Sequence, residues 1–372
     1  MRWLFVAQDG WGLGHVSRQL GLARALRRLR PKDTFLVVTY SEAAQVIARE
    51  GFASIKLPTS QPFAPAEQLN IDPTLRIWLS GAVVNTVMAT YQPQAVVLDT
   101  FPIGLSGELA AVLRMNCLRF LIAREVINPP PHWEYRESLR HFNALLAPYA
   151  EGEIELQIPR SDRLHFVGPI LIRGRDDLLP RDEARRRLGL PQDRRVCLVS
   201  FGGGGDPACG PLEQWVLALA AKHPSWHFAF PAPPLQKQSP APLTAANASR
   251  FTYYPMAECY GAFDTAISTT GSSAYELAFM GVPSILIPSV SPQQIEDHLQ
   301  KARRVLGANG GFVVTAHDTA ALEAAFAAMD DPGRLAAMKD DRARTRLPDG
   351  AANAARILVQ HTAKIAAQNI GK

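Results

Sequence analysis

Short apolar runs alternate with helical stretches along most of the chain, and no other feature restricts its folding so strongly. The first run, residues 3–7, is followed by a helical pattern over 16–30 and a second run at 34–39, a βαβ opening. Further runs stand at 54–57, 95–98 and 117–122, with helical stretches between them that include 107–114. Such alternation predicts a parallel sheet covered by helices on both faces. Residues 151–167 interrupt it: they are polar and irregular and end in Val167-Gly168-Pro169, which breaks regular structure. After an arginine-rich helix at 181–188 the pattern restarts. Runs follow at 196–201, 227–230, 252–254, 265–268 and 284–287, with helices at 211–221 and 273–280 and a proline-rich loop at 231–242. The expected fold is α/β, with two Rossmann-like domains facing each other across a cleft. The expected division is 1–165, 166–350 and a C-terminal helix at 351–372 that packs back toward the N-terminal domain.

A length of 372 residues agrees with two domains at about 150 residues each. With 47% hydrophobic and 20% charged residues, wholesale disorder, collagen and disulfide scaffolds are excluded. The net charge of +5 suits an anionic ligand and does not by itself indicate nucleic acid, and no nucleic-acid partner is expected. Cys117, Cys197, Cys209 and Cys259 form no C-x-x-C pair, so neither a zinc site nor a disulfide framework is expected, and a reducing cytoplasm is the default. No run reaches the length of a membrane span, which limits membrane contact to a peripheral one. Arg18, Arg24, Arg27, Arg28 and Arg30, on one expected helix, either attract anionic headgroups or form a solvated face.

Four segments carry candidate chemistry. Gly10-Trp11-Gly12-Leu13-Gly14-His15 joins the first strand to the first helix, where glycines allow a tight turn and bring backbone N–H groups to the sheet edge. It is neither a dinucleotide fingerprint, which needs glycine at position 15, nor a P-loop, which needs G-K-[ST]. His15 at a helix N-terminus can take a proton near neutral pH, or it can simply cap or pack against the helix. Asp99 ends the strand Val96-Val97-Leu98 on the same sheet edge. It can hydrogen-bond His15 and fix its tautomer, or it can satisfy a turn. Gly202, Gly203, Gly204 and Gly205 follow the strand at 196–201 with backbone donors suited to a phosphate, although glycine runs also make plain flexible loops.

The most specific segment is Thr269-Thr270-Gly271-Ser272-Ser273-Ala274-Tyr275-Glu276-Leu277-Ala278-Phe279-Met280-Gly281-Val282-Pro283. A strand ending in small hydroxyl residues and glycine before a helix makes a seat for a diphosphate. Glu276, one turn into that helix, can accept hydrogen bonds from the two hydroxyls of a ribose. As a buried structural residue it would need a partner instead.

These residues, with Met256 to Asp264 before them, resemble the donor-binding half of GT-B nucleotide-sugar glycosyltransferases. The likeness is to the N-acetylglucosaminyltransferase of lipid II synthesis and to glycosyltransferases predicted from sequence that are related to it. Gly12-Leu13-Gly14-His15 and Asp99-Thr100-Phe101-Pro102-Ile103-Gly104 with Gly107-Glu108-Leu109 resemble the latter. The resemblance implies that Gly271, Ser272 and Ser273 hold the diphosphate, Glu276 the ribose, and the backbone near Tyr254 and Pro255 the base. Gly202, Gly203 and Gly204 would approach the phosphates from the other side, and Asp297 with His298 would contact the donor sugar. Many relatives have glutamine in place of His298, so sugar preference does not carry over. His15 and Asp99 match the base pair of inverting members. Gly12, Gly14 and Trp78 fall on the acceptor side, where residues 58–78, with Phe63, Leu69, Ile71 and Trp78, form a loop over the acceptor or one packed on the core.

The expected reaction is inverting transfer from a nucleotide sugar, with UDP as the nucleotide and no cofactor. Helix N-terminal dipoles and glycine amides would stabilise the leaving diphosphate without a metal, with which the absence of a D-x-D triplet agrees. The acceptor is open: small molecule, lipid-linked or glycan. The rivals are a nucleotide-sugar 2-epimerase or hydrolase on the same fold, and a noncatalytic nucleotide-sugar binding module.

Overall fold

A computed structural model of the chain describes residues 1–8, 12–59, 71–125, 132–154, 156, 158, 160–204, 209–232, 234–235, 242–288, 295–307, 309–344 and 346–370. Gly10, Trp11, Gly205, the 60–70 part of the acceptor-side segment with Phe63 and Leu69, and most of 231–242 lie outside these residues. The chain divides into two compact units, Met1–Ile172 with Pro348–Lys372, and Arg173–Leu347.

Unit 1 contains β1 (Arg2–Ala7), β2 (Thr34–Thr39), β3 (Ala53–Lys56), β4 (Ala95–Asp99), β5 (Leu118–Ile122), β6 (Ala144–Ala147) and β7 (Leu164–Phe166). Among the described residues they form one sheet in the order β3-β2-β1-β4-β5-β6-β7, every pairing parallel. Trp3 to Ala7 on β1 and Ala95 to Asp99 on β4 are wholly buried, as central parallel strands covered on both faces must be. The covering helices are α1 (Gly14–Leu29), α2 (Gln45–Arg49), α3 (Pro73–Tyr91) and α4 (His132–Leu139).

The boundary expected at 165/166 lies at Ile172/Arg173. Residues 167–172 stay with unit 1 because Val167 N–H donates to the Ala147 carbonyl (2.9 Å) and Gly168 N–H to the Tyr149 carbonyl (3.0 Å). Leu171 also lies directly against α1: a Cβ on Gly21 would come within 2.1 Å of its carbonyl oxygen, so only glycine fits there. The C-terminal helix α11 (Gly350–Ile370) belongs to unit 1 as well. Its Asn353 Nδ2 donates to the Val167 carbonyl (3.0 Å), and Ala354, Ala355 and Leu358 are buried.

Part of the segment expected as a loop at 58–78 is helical. Asp72 caps α3, its carboxylate accepting from the N–H groups of Thr74 (2.7 Å) and Leu75 (3.1 Å), with Pro73 at the first helical position. Trp78 stands on this helix and is 72% exposed. The stretch expected as a helix over 107–114 is a short 3-10 turn, Ala110–Arg114. The arginine stripe of α1 is no open basic face. Arg18 is buried against Asp99, Arg24 pairs with Glu50 (2.9 Å), Arg27 donates to the carbonyls of Glu50 and Gly51, and Arg30 pairs with Asp33 (3.2 Å). Only Arg28 of the five is exposed.

Unit 2 contains β8 (Arg195–Ser200), β9 (Trp226–Pro231), β10 (Ala248–Phe251), β11 (Thr265–Thr269), β12 (Ser284–Ile287) and β13 (Gly311–Val313). Among the described residues they form a parallel sheet in the order β10-β9-β8-β11-β12-β13. The run expected as a strand at 252–254 lies just past β10. Its aromatic side chains read as β-formers, yet Pro255 follows and the ladder uses Ala248–Phe251 instead. The helices are α5 (Arg181–Leu188), α6 (Cys209–Lys222), α7 (Ser272–Met280), α8 (Ile295–Leu306), α9 (Thr319–Asp330) and α10 (Pro332–Arg344). Phe326 of α9 is wholly buried against Trp226 and Phe228.

Each sheet therefore reverses its strand order once, between β1 and β4 in unit 1 and between β8 and β11 in unit 2. The carboxyl ends of strands at such a reversal are splayed apart by the helices leaving on opposite faces, and ligands of doubly wound folds bind there. Among the described residues no helix is long and apolar enough to cross a membrane.

Candidate functional site

At the reversal of unit 1, β1 leads into the turn that carries Gly12, Gly14 and His15, while β4 ends in Asp99. Gly14 opens α1, whose N-cap, Leu13, supplies no side-chain cap, and a Cβ on Gly12 would meet nothing within 4 Å. Asp99 is wholly buried. Its carboxylate is gripped by Arg18, one turn beyond His15 on α1: Nε lies 3.1 Å from Oδ2, and Nη2 lies 2.9 Å from Oδ2 and 3.2 Å from Oδ1. Thr100 Oγ1 donates to Oδ1 as well (2.8 Å), from a residue held at φ +67°.

His15 Nδ1 comes within 3.2 Å of Asp99 Oδ2. The approach is too oblique for a full hydrogen bond, and Nδ1 remains a buried nitrogen without an aligned partner. The two residues expected to hydrogen-bond thus meet at 3.2 Å, on a carboxylate that Arg18 also binds. Burial lowers the pKa of the His15 imidazole, Asp99 opposes this, and the cations of Arg18 and Arg124 reinforce it, so the net shift is downward. Burial alone would raise the Asp99 carboxyl. Arg18, then His15 and Arg124, outweigh it and hold the group below the ordinary carboxylate range. At neutral pH the pair is thus a neutral imidazole beside an anion paired with a guanidinium, and the imidazole is free to accept a proton.

At the reversal of unit 2, β8 leads into Gly202, Gly203 and Gly204, and β11 into Thr270, Gly271 and α7. Gly202 and Gly204 take positive φ, +92° and +87°, which glycine alone adopts without strain. Gly271 is the N-cap of α7 and offers no side chain, and no acidic residue stands in the first turn. Among the described residues the N–H groups at the start of α7, around Ser272 and Ser273, thus have no side-chain cap, a site that favours an anion.

Glu276 lies one turn into α7 and is half-buried. The Tyr260 hydroxyl donates to its Oε2 (2.9 Å), which is the partner that a carboxylate within Ala-Tyr-Glu-Leu-Ala requires. Burial pushes the Glu276 carboxyl up to about 7, a rise that the Tyr260 bond and the Arg173 cation restrain. His298, on α8, reaches the same loop: its Nδ1 lies 2.6 Å from Thr270 Oγ1. Burial lowers its pKa and Lys301 adds to this, against an opposite pull from Asp297, which is itself exposed. Tyr254 is half-buried and precedes the short 3-10 turn Met256–Ala262. Among the described residues no group of three or more His, Cys, Asp or Glu side chains is placed to hold a metal ion.

Within unit 1 the structure brings His15, Asp99, Gly12 and Gly14 to one sheet edge, with Trp78 apart on the exposed side of α3. Within unit 2 it brings the glycines, Gly271, Ser272, Ser273, Glu276 and His298 to the edge formed by β8 and β11. The sequence reading missed Arg18, Tyr260 and Thr270. Arg18 carries a legible signal, since a residue three positions after His15 lies on the same helix face. Tyr260 lies within a quoted motif, but nothing in sequence links a hydroxyl to a carboxylate sixteen positions on.

No protein-family model matches the chain. It is 26% identical over 362 residues to the UDP-N-acetylglucosamine--N-acetylmuramyl-(pentapeptide) pyrophosphoryl-undecaprenol N-acetylglucosamine transferase of Mycobacterium avium, across 93% of this chain and 86% of that one. To the protein of the same name from Acetivibrio thermocellus it is 23% identical over 330 residues, 83% of this chain and 84% of that one. Among solved structures it matches the spinosyn forosaminyltransferase SpnP with a TM-score of 0.65, at 16% identity and over 99% of both chains. Acinetobacter baumannii MurG matches at 0.59, with 14% identity over 97% of this chain and 100% of that one. The UDP-GlcNAc 2-epimerase of Neisseria meningitidis matches at 0.63, with 15% identity over 98% of this chain and 100% of that one. Two Rossmann-type sheets in one chain, aligned with solved glycosyltransferases over most of its length, give this protein the GT-B fold, and in sequence it is similar to lipid II N-acetylglucosaminyltransferases.

Proposed function

We propose that the protein moves a sugar from a UDP-linked donor to an acceptor hydroxyl, with inversion at the anomeric carbon and without a metal ion. The observation that carries this reading is the pairing, in unit 2, of an uncapped α7 N-terminus with a carboxylate one turn further along. A diphosphate needs the first and a ribose diol the second. Gly202, Gly203 and Gly204 supply further amides to the phosphates, the backbone near Tyr254 meets the base, and His298 with Asp297 meets the sugar. UDP as the nucleotide is supported by the names of the sequence relatives.

His15 is the general base. Its Nδ1 faces Asp99, so Nε2 takes the acceptor proton as the hydroxyl oxygen attacks the anomeric carbon. The bond from that carbon to the diphosphate oxygen breaks, and UDP leaves with its electron pair. Asp99 stabilises the imidazolium that results. Backbone amides and the α7 dipole stabilise the charge that grows on the leaving group, the work a divalent cation does elsewhere, and turnover is expected to persist in EDTA.

The named relatives act on a pyrophosphoryl-undecaprenol substrate, and a lipid-linked acceptor at the cytoplasmic face of a membrane is proposed for this chain too. Leu75, Trp78 and Leu79 support it. They lie three and four positions apart on α3 and are 49%, 72% and 41% exposed. The test is UDP release measured with and without acceptor. Release that depends on acceptor, and that His15→Ala abolishes, agrees with transfer; release at the same rate without acceptor shows hydrolysis instead.

A further inference from the structure

We infer that Arg18 is a positioning residue for His15: by holding Asp99 through two of its nitrogens, it keeps the carboxylate from closing an aligned hydrogen bond to the imidazole. The inference rests on the reading of His15 as a base and adds a residue to that machinery. Three geometric facts carry it. Arg18 Nε and Nη2 both bind the carboxylate, at 2.9 to 3.2 Å, and Arg18 and Asp99 are 7% and 0% exposed. Thr100 Oγ1 takes a further site on Oδ1. His15 Nδ1, although only 3.2 Å from Oδ2, stays without an aligned partner.

A planar guanidinium fixes a carboxylate in orientation as well as in charge, which an ammonium does not do. A carboxylate free to turn toward His15 would form the missing hydrogen bond and stabilise the imidazolium. The base would then be protonated over part of the working pH range and unavailable to an acceptor hydroxyl. Among the described residues the charged groups acting on His15 are Asp99 from β4, Arg18 from its own helix and Arg124 from the segment after β5. Arg124 and Arg18 both oppose protonation, and only Asp99 favours it.

The test is the NMR titration of the His15 ring in the full-length protein, wild type against Arg18→Lys and Arg18→Met. Arg18→Lys keeps the buried positive charge and gives up the two-nitrogen grip. The expected result is a His15 titration moved to higher pH in Arg18→Lys, with a new downfield Nδ1–H resonance from the bond to Asp99. Arg18→Met, which also removes the cation, should move it further. Since Arg18→Met leaves a buried carboxylate unpaired and can fail to fold, Arg18→Lys decides the matter alone. A His15 titration in Arg18→Lys that coincides with the wild type, whether or not Arg18→Met shifts, overturns the positioning role. The titration reads proton affinity in the absence of any substrate, so its outcome is separate from that of the UDP-release assay, which tests the base itself.

Discussion

At the strand-order reversal of unit 1 a buried carboxylate is gripped by a guanidinium, whereas at that of unit 2, among the described residues, the carboxylate has one hydroxyl partner and the helix start has no side-chain cap. Asp99 is held by Arg18 and Thr100, and its carboxyl sits below the usual range. Among the described residues Glu276 has a single hydroxyl partner, that of Tyr260, and it is pushed up to about 7. The helices α1, after β1, and α7, after β11, both start without a side-chain cap, yet the first turn of α1 presents an imidazole and the first residues of α7 are small. The same strand order thus supports two kinds of site. One is set in advance for a proton transfer, where reorganisation during reaction would be costly. In the proposed reaction the other tolerates an unfavourable carboxylate in the empty protein because a bound diol and diphosphate would complete it.

The comparison breaks first at His15. Replacing it with alanine should lower turnover by roughly 10²- to 10⁴-fold while UDP affinity stays near the wild-type value, measured by steady-state kinetics and calorimetry on the same preparation. A parallel loss of UDP affinity would merge the two sites that the account keeps apart.

A second variant, Gly271→Asp, divides stability from binding. The backbone there is extended, and an added Cβ would meet only Thr269 Oγ1, at 4.0 Å, so aspartate fits. Its carboxylate would cap α7 and raise unfolding stability by roughly a few tenths of a kcal/mol. It would also occupy the proposed diphosphate seat with like charge, and UDP affinity should fall by on the order of a hundredfold, about 3 kcal/mol. A destabilised variant that binds UDP normally would show that the α7 N-terminus is not that seat.

Glu276→Gln sharpens the same contrast through stability. A carboxyl raised to about 7 in the folded protein, above its unfolded value, contributes stability that is complete below the unfolded pKa and disappears as pH rises through about 7. Ligand-free wild type should therefore lose melting temperature from about pH 5 to about pH 8 relative to Glu276→Gln, by a few degrees in a thermal scan. The smallest effect belongs to Trp78→Ser. With 72% of the residue exposed, stability and UDP affinity should not change measurably, whereas sedimentation with anionic vesicles should weaken a few-fold.

Elements whose pattern was strong and local were legible in the sequence. The strand at 34–39, the helix at 181–188 and the strand at 284–287 match β2, α5 and β12 at both ends. Each is bounded by residues that stop regular structure, such as Gly189 in the left-handed conformation after α5 and Pro283 before β12. The three-residue strands β7 and β13 were not legible, since three residues carry no period and their pairing comes from neighbours distant in sequence. The helix α3 was read partly as loop because Pro73 and the polar residues before it resemble a break, whereas proline at the first position of a helix starts one. His15, Asp99 and Glu276 were visible as residues after strands and before or within helices. Which groups satisfy them was not visible, because a buried carboxylate's partner depends on which helix face turns inward. Arg18, read as part of a basic stripe, is the clearest case.

The central claim is that Glu276 and the open end of α7 hold the sugar nucleotide, and calorimetric titration of UDP across pH tests it most directly. Since the carboxyl accepts ribose hydrogen bonds best when ionised, wild-type affinity should tighten as pH rises through about 7, and Glu276→Gln should bind roughly tenfold more weakly at high pH with a nearly flat profile. No detectable UDP binding, or identical affinity and pH dependence in the two proteins, would contradict it.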